Sequence, residues 1–552
     1  MPSPYTPRMK TLACVAVTVD EAEQALRDAE AARDAGADLV EFRVDAWYER
    51  LVDEGGEAIK PVLRLVREAE LPCIVTCRPD WEGGSYIGAE EPRAELFEAL
   101  LGEPERPRYI DVEFDSFRRS PDLAERLRAA RARSTTGIII SIHDFQGRPA
   151  NLTRKLLDLR DLQLADVVKV AFRARSVRDN LELFEMLREA HGPTIALGMG
   201  QFGTMSRVLS PKFGGFLTFA SLRDEAATAP GQPTVSELLG TYRLRAIGRD
   251  TRVFGIIGWP VGHSKSPMIH NAGFESIEFD GAYVPLPIAG HDDAQDSYLS
   301  FRTSVTALVE DVKLGFAGAS VTLPHKANLV RMGREMGWQV DAFAQACGAA
   351  NTLGLVDGAW RVTNTDAPAA VDLLQRELGT LSDRRVLVLG AGGVARGIVL
   401  EAARRGAQVS VWNRNPSRAE RLVLDVEQAA PGLRAPGAGE VRIGVAKPGS
   451  LGPAEALVQC TPAGMSGGEA EGELPIPEDE IRSIEGLAVV QETVYNPSET
   501  PLLKLARTLR LATLDGVEMF VAQAAAQFAM WTGQAAPAAL FERIVREQLE
   551  RS

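Results

Sequence analysis

Residues 254–270, with the sequence FGIIGWPVGHSKSPMIH, mark the point where the pattern of the chain changes. An apolar run ends here in Gly258 and a turn containing Pro260, which is typical of a buried strand that enters a loop. Ser264 and Ser266 then precede a helical run, where hydroxyls and free backbone N–H groups together favour an anion. Alternatively, one serine only caps the helix. The segments before and after this stretch differ in pattern, so we expect separate folding units.

The composition indicates a globular, multidomain chain. Its 552 residues, 45% of them hydrophobic, predict roughly two to four domains. The chain has no apolar run of membrane-spanning length and no apolar signal-peptide region near Met1, so we expect a cytoplasmic protein. A balance of 61 basic and 75 acidic residues gives a net charge of −14, which argues against nucleic-acid or anionic-membrane partners. Five cysteines without paired CxxC spacing favour reduced core thiols over disulfides or a metal site.

The segment before residue 245 alternates apolar, β-rich runs with amphipathic helical stretches. We predict strands over residues 12–19, 38–44, 72–77, 109–114, 137–143, 166–172, 193–198 and 215–220. Eight strands, each followed by a helix, fit a (β/α)₈ barrel, whose active sites lie at the C-terminal ends of the strands. A doubly wound sheet is the alternative, although it usually needs fewer strands for this length.

Polar residues lie near the ends of the predicted barrel strands: Glu41, Arg43, Arg78, Glu82, His143 and Lys169. Lys169 lies inside an apolar run, where burial disfavours the ammonium and favours the neutral amine, the form that attacks a ketone. An isolated strand lysine is more often ion-paired or snorkelling, and a lone histidine is often a core residue. The convergence of several polar groups on one barrel mouth favours a nucleophilic Lys169 with His143 as general acid or base.

The first half resembles the type I 3-dehydroquinate dehydratases, in motifs spread over nearly the whole segment. The matching motifs are EFRVD at Glu41, CRPDWEGG at Glu82, SIHDF at His143, VVKVAF at Lys169, MSR at Arg207 and APGQ at Gln232. The resemblance implies that Lys169 forms a Schiff base with the substrate ketone. His143 would then move the C2 proton and protonate the departing hydroxyl.

The same resemblance implies supporting roles for the other polar residues. Glu82 would orient His143, and Arg207 and Gln232 would hold the substrate carboxylate. The remaining residues would contact hydroxyls or organise the pocket: Glu41, Arg43 and Arg78. Thr228 stands where such enzymes usually have serine, a change that keeps the hydroxyl.

The second half contains a lysine and an aspartate at the start of two helical runs, Lys326 in TLPHKAN and Asp366 in VTNTD. Each has a plainer interpretation, because a helix lysine is usually solvated and Asp is a good N-cap residue. An Asp and a Lys near one substrate hydroxyl can instead share its proton, as hydride transfer to or from the carbon requires.

A dinucleotide-binding pattern follows these two residues. The apolar run 385–389 precedes a glycine turn and a helical stretch; the turn comprises Gly390, Ala391, Gly392 and Gly393. The next apolar run ends in Asn413 and Arg414, where an NAD site carries an acidic residue for the ribose 2′-hydroxyl. Arg414 and Arg418 instead offer guanidinium groups to a 2′-phosphate, which predicts NADP as the cofactor. The alternative is two solvated arginines after a strand.

This half resembles shikimate dehydrogenase over its full length. The motifs are Ser264-x-Ser266, VTLPxK from Val321, Asn351, NTD from Asn364, the glycine turn, Asn413-Arg414, TPAGM from Thr461, VYNP from Val494 and Gln523 in MFVAQ. The resemblance implies that Ser264 and Ser266 hold the substrate carboxylate and that Lys326 and Asp366 form the catalytic pair. It implies that the substrate ring is surrounded by Thr322, Asn351, Tyr495 and Gln523, with Thr461 and Gly516 on the cofactor side. Three residues depart from the family pattern: Ser320, Gln459 and Glu492.

We therefore expect an α/β protein of four segments. These are a dehydratase TIM barrel (1–248), a shikimate-binding α/β domain (249–366), an NADP-binding Rossmann domain (367–515) and C-terminal helices that return to the substrate domain (516–552). The expected function is Schiff-base dehydration of 3-dehydroquinate and NADPH-dependent reduction of 3-dehydroshikimate to shikimate. The expected partners are these small molecules, and the sequence does not determine the oligomeric state. Two alternatives are a quinate dehydrogenase in the second half and a non-enzymatic sensor of pathway ligands. The Ser-x-Ser pair favours shikimate, and retention of the catalytic groups favours an enzyme.

Overall fold

A computed structural model describes residues 10–102, 107–223, 231–429, 442–447, 449 and 451–551 of the chain. The departure at Thr228 lies outside these residues. The chain divides into two compact units. Unit 1 comprises Met1–Val253, Asp280–Ile288 and Thr306–Gly315, and unit 2 comprises Phe254–Phe279, Ala289–Val305 and Phe316–Ser552. Among the described helices, none combines the length and the apolar character that crossing a lipid bilayer requires.

Unit 1 is built on an eight-stranded parallel barrel. Its strands are β1 (Leu12–Thr18), β2 (Leu39–Arg43), β3 (Cys73–Thr76), β4 (Tyr109–Glu113), β5 (Gly137–Asp144), β6 (Val167–Arg173), β7 (Thr194–Met199) and β8 (Leu217–Ala220). The strands are ordered β7-β6-β5-β4-β3-β2-β1-β8, and a hydrogen bond of 2.8 Å from Phe216 N to Thr194 O joins the two ends. The predicted barrel is confirmed, and each predicted strand agrees with the observed one within two residues.

Helices cover the outside of the barrel and connect its strands. They are α1 (Ala22–Asp34), α2 (Asp45–Asp53), α3 (Ile59–Glu68), α4 (Glu90–Gly102), α5 (Ser116–Arg119), α6 (Pro121–Arg131), α7 (Leu152–Asp161), α8 (Asp179–Glu189), α9 (Thr204–Val208) and α10 (Ser210–Phe213). A short 3₁₀ turn over Asp80–Glu82 lies between β3 and α4. Most of these helices carry an apolar stripe that packs inward, with charged residues on the opposite face.

The barrel interior is layered because every second side chain of a strand faces the same side. An apolar layer at the N-terminal end of the barrel contains Leu39, Ile74, Tyr109, Ile139, Val167 and Ile195. The residues two positions further along the same strands form a more polar layer: Glu41, Thr76, Asp111, Ser141, Lys169 and Leu197. Strand register aligns these residues across the barrel, for example Ser141 with Lys169. The apolar layer therefore closes one end, and the polar layer forms the floor of a pocket at the other.

The chain after the barrel contains one mixed sheet and one fully parallel sheet. The mixed sheet, in the order β10-β9-β11-β13-β14-β12, comprises β9 (Arg252–Gly258), β10 (Gly281–Pro287), β11 (Phe316–Val321), β12 (Gln339–Val340), β13 (Thr352–Val356) and β14 (Ala359–Thr363). The parallel sheet, in the order β17-β16-β15-β18-β19-β20, comprises β15 (Arg385–Leu389), β16 (Gln408–Trp412), β17 (Arg442–Val445), β18 (Ala456–Gln459), β19 (Val489–Glu492) and β20 (Ala512–Leu514). In chain order this second sheet is 3-2-1-4-5-6, the Rossmann arrangement, which confirms the predicted fold.

The remaining helices follow the barrel in the chain. They are α11 (Ser266–Ser276), α12 (Ala294–Glu310), α13 (Lys326–Glu335), α14 (Ala342–Cys347), α15 (Asp366–Leu378), α16 (Gly393–Arg404), α17 (Pro416–Ala429), α18 (Glu478–Arg482), α19 (Pro501–Thr508), α20 (Gly516–Thr532) and α21 (Ala538–Arg551). Helix α20 packs on the mixed sheet, where Trp531 Nε1 donates to Leu353 O at 3.0 Å. Gly318 leaves room for this indole, since a Cβ there would lie 2.6 Å from Trp531 Nε1.

All five cysteines are free thiols, and four of them are buried. The burial of these four agrees with the sequence interpretation of core residues.

A buried carboxyl group ends β19 and makes the stability of unit 2 depend on pH. Burial raises the pKa of Glu492 to about 7 from 4.5, although Val494 N, Thr500 Oγ1 and Thr493 N donate hydrogen bonds to it. Since the folded-state pKa exceeds the unfolded one, Glu492 adds no penalty below the unfolded value. Stability falls as pH rises through 7, with a full penalty of ~3 kcal/mol for the buried charge.

We therefore expect Glu492→Gln to stabilise unit 2 above pH 7 and to have little effect at acidic pH. Thermal unfolding followed by circular dichroism on both sides of this pH measures the difference. Glu455→Gln is the matched control, because a hydrogen bond from Arg385 N lowers the pKa of Glu455 and its loss should destabilise the fold throughout this range. An equal change for Glu492→Gln on both sides would contradict the prediction.

Candidate active sites

A polar pocket of about 70 Å³ lies at the C-terminal ends of the barrel strands. Its lining includes all eight residues that sequence analysis assigned to the first half, namely Glu41, Arg43, Arg78, Glu82, His143, Lys169, Arg207 and Gln232. Apolar residues complete the wall: Phe145, Ala171, Leu197, Met199 and Phe219. The barrel therefore brings together groups from five strands, β2 and β5 to β8, and from segments that follow β3, β5, β7 and β8.

Lys169 is ion-paired on the pocket floor. Its Nζ lies 2.8 Å from Asp111 Oδ2 and 3.5 Å from Glu41 Oε1, and 4.3 Å from the centre of the Phe219 ring. The sequence interpretation treated burial as the factor that makes this amine neutral. Sequence analysis considered burial alone, and the structure adds two carboxylate neighbours that the local sequence did not reveal.

Asp111 and Glu113 were missed by sequence analysis. Both are fully buried on β4, and Asp111 Oδ1 accepts hydrogen bonds from Ser141 Oγ at 2.6 Å and lies 3.1 Å from Arg78 Nη2. Burial raises the pKa of Asp111, but attraction to Arg78 and Lys169 outweighs it and leaves the pKa well below its ordinary value. The available signal was spacing: in YIDVE the two acids alternate with apolar residues, so both face one side of the strand.

His143 and Glu82 form an acid–base pair beside Lys169. Glu82 Oε1 accepts a hydrogen bond from His143 N at 2.6 Å and lies 3.4 Å from His143 Nδ1. Burial, reinforced by the charge of Glu113, raises the pKa of Glu82 to about 8. Burial and repulsion from Arg78 and Lys169 lower the pKa of His143 well below its ordinary value. At neutral pH the imidazole is therefore neutral and able to accept a proton.

Phe145 lies at the pocket mouth and packs against a glycine. Its ring is roughly parallel to that of His143, with centroids 6.4 Å apart, and its side chain is 40% exposed. Gly83 follows the 3₁₀ turn with φ +76°, and a Cβ there would lie 2.2 Å from the Phe145 ring. A Cβ at this position would therefore displace the Phe145 ring, in addition to the cost of the positive φ.

A second pocket, of about 230 Å³, lies in unit 2. It is lined by all eight predicted substrate residues, Ser264, Ser266, Thr322, Lys326, Asn351, Asp366, Tyr495 and Gln523, and by Gly516. The lining also contains residues that sequence analysis did not assign: Ile256, Ser320, Val321, Val394, Thr493, Met519, Phe520 and Gln527. Gly516 begins α20, and a Cβ there would lie 2.1 Å from Val494 O, so the approach to the Tyr495 loop requires glycine.

Lys326 and Asp366 form an ion pair at the pocket wall. Lys326 Nζ donates to Asp366 Oδ2 at 2.6 Å, and the two side chains remain 21% and 16% exposed. Asp366 is the first helical residue of α15, and Thr365 occupies the N-cap position, so the aspartate does not serve as the N-cap. Ser264 Oγ accepts from Ser266 N at 3.2 Å, so this serine supports the start of α11 while it lines the pocket.

Hydrogen bonds at the pocket connect the mixed sheet to the start of α15 and to α20. Asn351 Nδ2 donates to Thr365 Oγ1 at 3.0 Å, and Asn351 Oδ1 accepts from Thr365 N at 2.7 Å. Ser320 Oγ donates to Gln527 Oε1 at 2.7 Å, which gives the departure at this position a buried partner. Gln527 was missed, although it lies one helical turn after Gln523 and therefore on the same face.

The glycine turn connects β15 to α16 with open space at the helix N-terminus. Gly390 has φ +115°, Gly392 is the N-cap of α16, and no atom lies within 4 Å of a Cβ built on Gly392 or Gly393. Main-chain N–H groups at such an end can bind a pyrophosphate. The residue types and the space thus fit a dinucleotide, and Ala391 completes the turn.

The residues expected beside the adenosine are solvent-accessible. Arg414 and Arg418 are exposed after β16, and Asn413 Nδ2 donates to Asn415 O at 2.9 Å. Exposed guanidinium groups at this position fit a 2′-phosphate. Thr461 follows β18 and bonds to the buried Gln459, with Thr461 N donating to Gln459 Oε1 at 3.1 Å. The departure at Gln459 therefore holds the Thr461 loop.

Family comparisons match the first half of the chain to one family and the second half to another. The type I 3-dehydroquinase family matches residues 13–249. The shikimate dehydrogenase substrate-binding domain matches residues 256–353, the shikimate/quinate 5-dehydrogenase family residues 372–433, and the shikimate 5′-dehydrogenase C-terminal domain residues 516–546.

Some relatives match nearly the whole chain, and others match about half of it. A bifunctional 3-dehydroquinate dehydratase/shikimate dehydrogenase of Arabidopsis thaliana is 33% identical over 97% of this chain and 84% of its own length. A shikimate dehydrogenase (NADP(+)) of Methanocella arvoryzae is 33% identical over 54% of this chain and 99% of its own length. A solved structure of dehydroquinate dehydratase and shikimate dehydrogenase from S. pombe AroM is 25% identical, covers 98% of both chains and has a TM-score of 0.42.

Substitution of Gly83 by Ala should destabilise unit 1 and displace Phe145. The positive φ costs an alanine about 1 kcal/mol, and the contact with the ring adds to it. Gly55→Ala is the matched control, since Gly55 has φ +72° with no atom within 4 Å of its Cβ. Urea unfolding should show a larger loss for Gly83→Ala than for Gly55→Ala. Phe145→Ala in the same chain should recover the excess, and equal losses without recovery would contradict the contact.

Proposed function

Since the chain belongs to the family of bifunctional 3-dehydroquinate dehydratase/shikimate dehydrogenases, we propose that its two pockets catalyse consecutive reactions. The barrel dehydrates 3-dehydroquinate to 3-dehydroshikimate, and unit 2 reduces that product to shikimate with NADPH. One observation carries this proposal: each pocket contains a lysine held by a carboxylate, Lys169 with Asp111 and Lys326 with Asp366. The shared intermediate explains why two unrelated folds occupy one chain.

In the barrel, Lys169 acts as the nucleophile. Its deprotonated amine attacks the substrate ketone, and loss of water from the resulting carbinolamine leaves an imine. Neutral His143 then accepts the C2 proton and returns it to the departing hydroxyl. Glu82 is held against the main chain of His143 by the bond from His143 N, and its Oε1, 3.4 Å from Nδ1, orients the imidazole.

Arg207 supplies the positive charge for the substrate carboxylate. Its guanidinium is buried and donates to Gly198 O at 3.2 Å and to Phe219 O at 3.4 Å, with no ion pair to another described residue. Burial lowers the pKa of Arg207 to about 10, so a carboxylate ligand would stabilise the cation. Gln232 lies in the same wall as a second donor, while Glu41, Arg43 and Arg78 organise the hydroxyl side.

In unit 2, Lys326 and Asp366 transfer the proton of the substrate hydroxyl. NADPH, when bound at the glycine turn with Arg414 and Arg418 at its 2′-phosphate, supplies the hydride. Lys326 donates a proton to the carbonyl oxygen and Asp366 orients the ammonium, as their 2.6 Å contact supports. Ser264 and Ser266 hold the carboxylate, and the ring lies among Thr322, Asn351, Tyr495 and Gln523.

The segment boundaries expected from the sequence are part of the proposal. Residues 1–248 form the dehydratase, 249–366 the substrate domain, 367–515 the cofactor domain and 516–552 the returning helices. The cytoplasmic location remains a prediction. The sensor alternative gains no support, because every expected catalytic group lines a pocket. The quinate alternative is not favoured either, since the named relatives are shikimate dehydrogenases.

The intact chain should consume NADPH when supplied with 3-dehydroquinate, as measured by absorbance. Lys169→Ala should abolish dehydration while shikimate oxidation with NADP persists, and Lys326→Ala should have the reverse effect. The two sites hold separate lysines and share no lining residue, so neither loss should spread. Lys155→Ala is the control, because Lys155 pairs with Asp115 outside the pocket lining. Loss of both reactions from one substitution in a folded chain would overturn the two-site proposal, and faster turnover of quinate than shikimate would favour the alternative.

Replacement of Arg414 by Gln should weaken NADPH binding by roughly 1.5 to 3 kcal/mol, the contribution of a charged hydrogen bond, and leave NADH nearly unchanged. Steady-state KM values for the two cofactors give the comparison. Arg421→Gln offers a matched control, since Arg421 is also exposed on α17. A parallel loss for both cofactors would show that Arg414 is structural.

A further inference from the structure

Arg93 is a fully buried arginine outside the lining of the barrel pocket. It lies on α4 with no solvent exposure, and its guanidinium is 5.5 Å from the Phe97 ring centre and 5.9 Å from that of Tyr86. A buried guanidinium is costly unless every donor is satisfied. Its partners therefore indicate why the chain keeps a charge at this position.

The donors of Arg93 connect three elements around β3 and β4. Nε donates to Cys77 O at 2.9 Å, Nη1 donates to Glu90 at 2.8 Å, and Nη2 donates to Glu113 Oε2. Cys77 directly precedes Arg78, and Glu113 is the carboxylate that receives Arg78 Nη1 at 2.8 Å. Arg93 thus holds both the main chain before Arg78 and the acid to which Arg78 binds.

Charges of alternating sign connect Arg93 to the nucleophile. Arg93 binds Glu113, Glu113 binds Arg78, Arg78 Nη2 lies 3.1 Å from Asp111, and Asp111 lies 2.8 Å from Lys169 Nζ. All five side chains are at least 95% buried. Interactions between charges in such surroundings are weakly screened, so a charge removed at one end is felt along the series.

We propose that Arg93 is a positioning residue of the dehydratase: by holding Glu113 and the Cys77 carbonyl, it fixes Arg78 against Asp111 and so sets the place of Lys169. The proposal rests on the dehydratase function proposed above. It requires no contact between Arg93 and substrate. Its effect is transmitted through Glu113, which also acts on Glu82.

The sign of the effect on pH dependence follows from the charges. The titratable groups that face Arg93 are Glu90, Glu113 and the Tyr86 phenol, with the Cys77 thiol nearby. Loss of the Arg93 cation leaves Glu113 less neutralised, and Glu113 already raises the pKa of Glu82. The protonated form of Glu82 is then favoured, so the pH profile of dehydration should move to higher pH. Loss of the Glu113 charge should move it to lower pH.

The test compares Arg93→Met, Arg93→Lys and Glu113→Gln in the full chain. Dehydration of 3-dehydroquinate is measured against pH, with shikimate oxidation by the same sample as the internal standard. We expect Arg93→Met to lower kcat roughly 10- to 100-fold and to shift the pH profile upward by about one unit. Arg93→Lys should keep the wild-type pH profile with an intermediate kcat, since it retains the charge but not the fork that reaches Cys77 O. Glu113→Gln should shift the profile downward.

Arg126→Met is the matched control. Arg126 binds Glu91 and Glu98 of the same helix α4 but contacts no residue of the pocket lining, so its loss should leave the profile unchanged. A profile of Arg93→Met that coincides with wild type would overturn the proposal, whatever the loss of stability. If Arg93→Met does not fold, the other two variants decide. A pH profile of Glu113→Gln that matches wild type, or an unchanged kcat of Arg93→Lys, also overturns the proposal. A wild-type chain without dehydratase activity would instead refute the proposed function.

Discussion

Burial of charge at one end of the barrel is the constraint on which the first site depends. An apolar layer closes the barrel. The positions two and four residues further along β2 to β6, or just beyond the strand end, include acids, arginines, a histidine and a lysine. Such groups are stable in a dry interior only when each finds an opposite charge or a hydrogen bond. The ion pairs of Lys169, Asp111, Arg78 and Glu113 satisfy this condition and fix the geometry of the pocket.

The two pocket lysines differ in burial. Lys169 has a 5% exposed side chain and two carboxylate neighbours, which suits the nucleophilic role proposed for it. Lys326 remains 21% exposed with one carboxylate neighbour, which suits the proton donor proposed in unit 2. The same residue pair, a lysine and an aspartate, therefore has different surroundings in the two pockets, as the two proposed roles require.

The residues that depart from the shikimate dehydrogenase pattern each have a partner in the fold. Ser320 binds Gln527, Gln459 binds Thr461, and Glu492 accepts from Thr493 N, Val494 N and Thr500 Oγ1. Each buried polar group is thereby satisfied close to the pocket, as low-dielectric surroundings require. The altered residues support the loops of the site without replacing a group of the Lys326–Asp366 pair.

The sequence by itself determined the elements and the positions of most site residues. Strands and helices follow from local periodicity, and motifs such as SIHDF and VTNTD place polar groups at element ends, where both pockets form. The tertiary structure alone decided the partners. Asp111 and Lys169 are 58 positions apart and meet only because β4, β5 and β6 are adjacent in register. Whether Lys169 is lone or ion-paired, whether Asp366 caps its helix, and which face of YIDVE points inward depend on the closure of sheets, because local patterns do not specify which distant side chain will neutralise a buried charge.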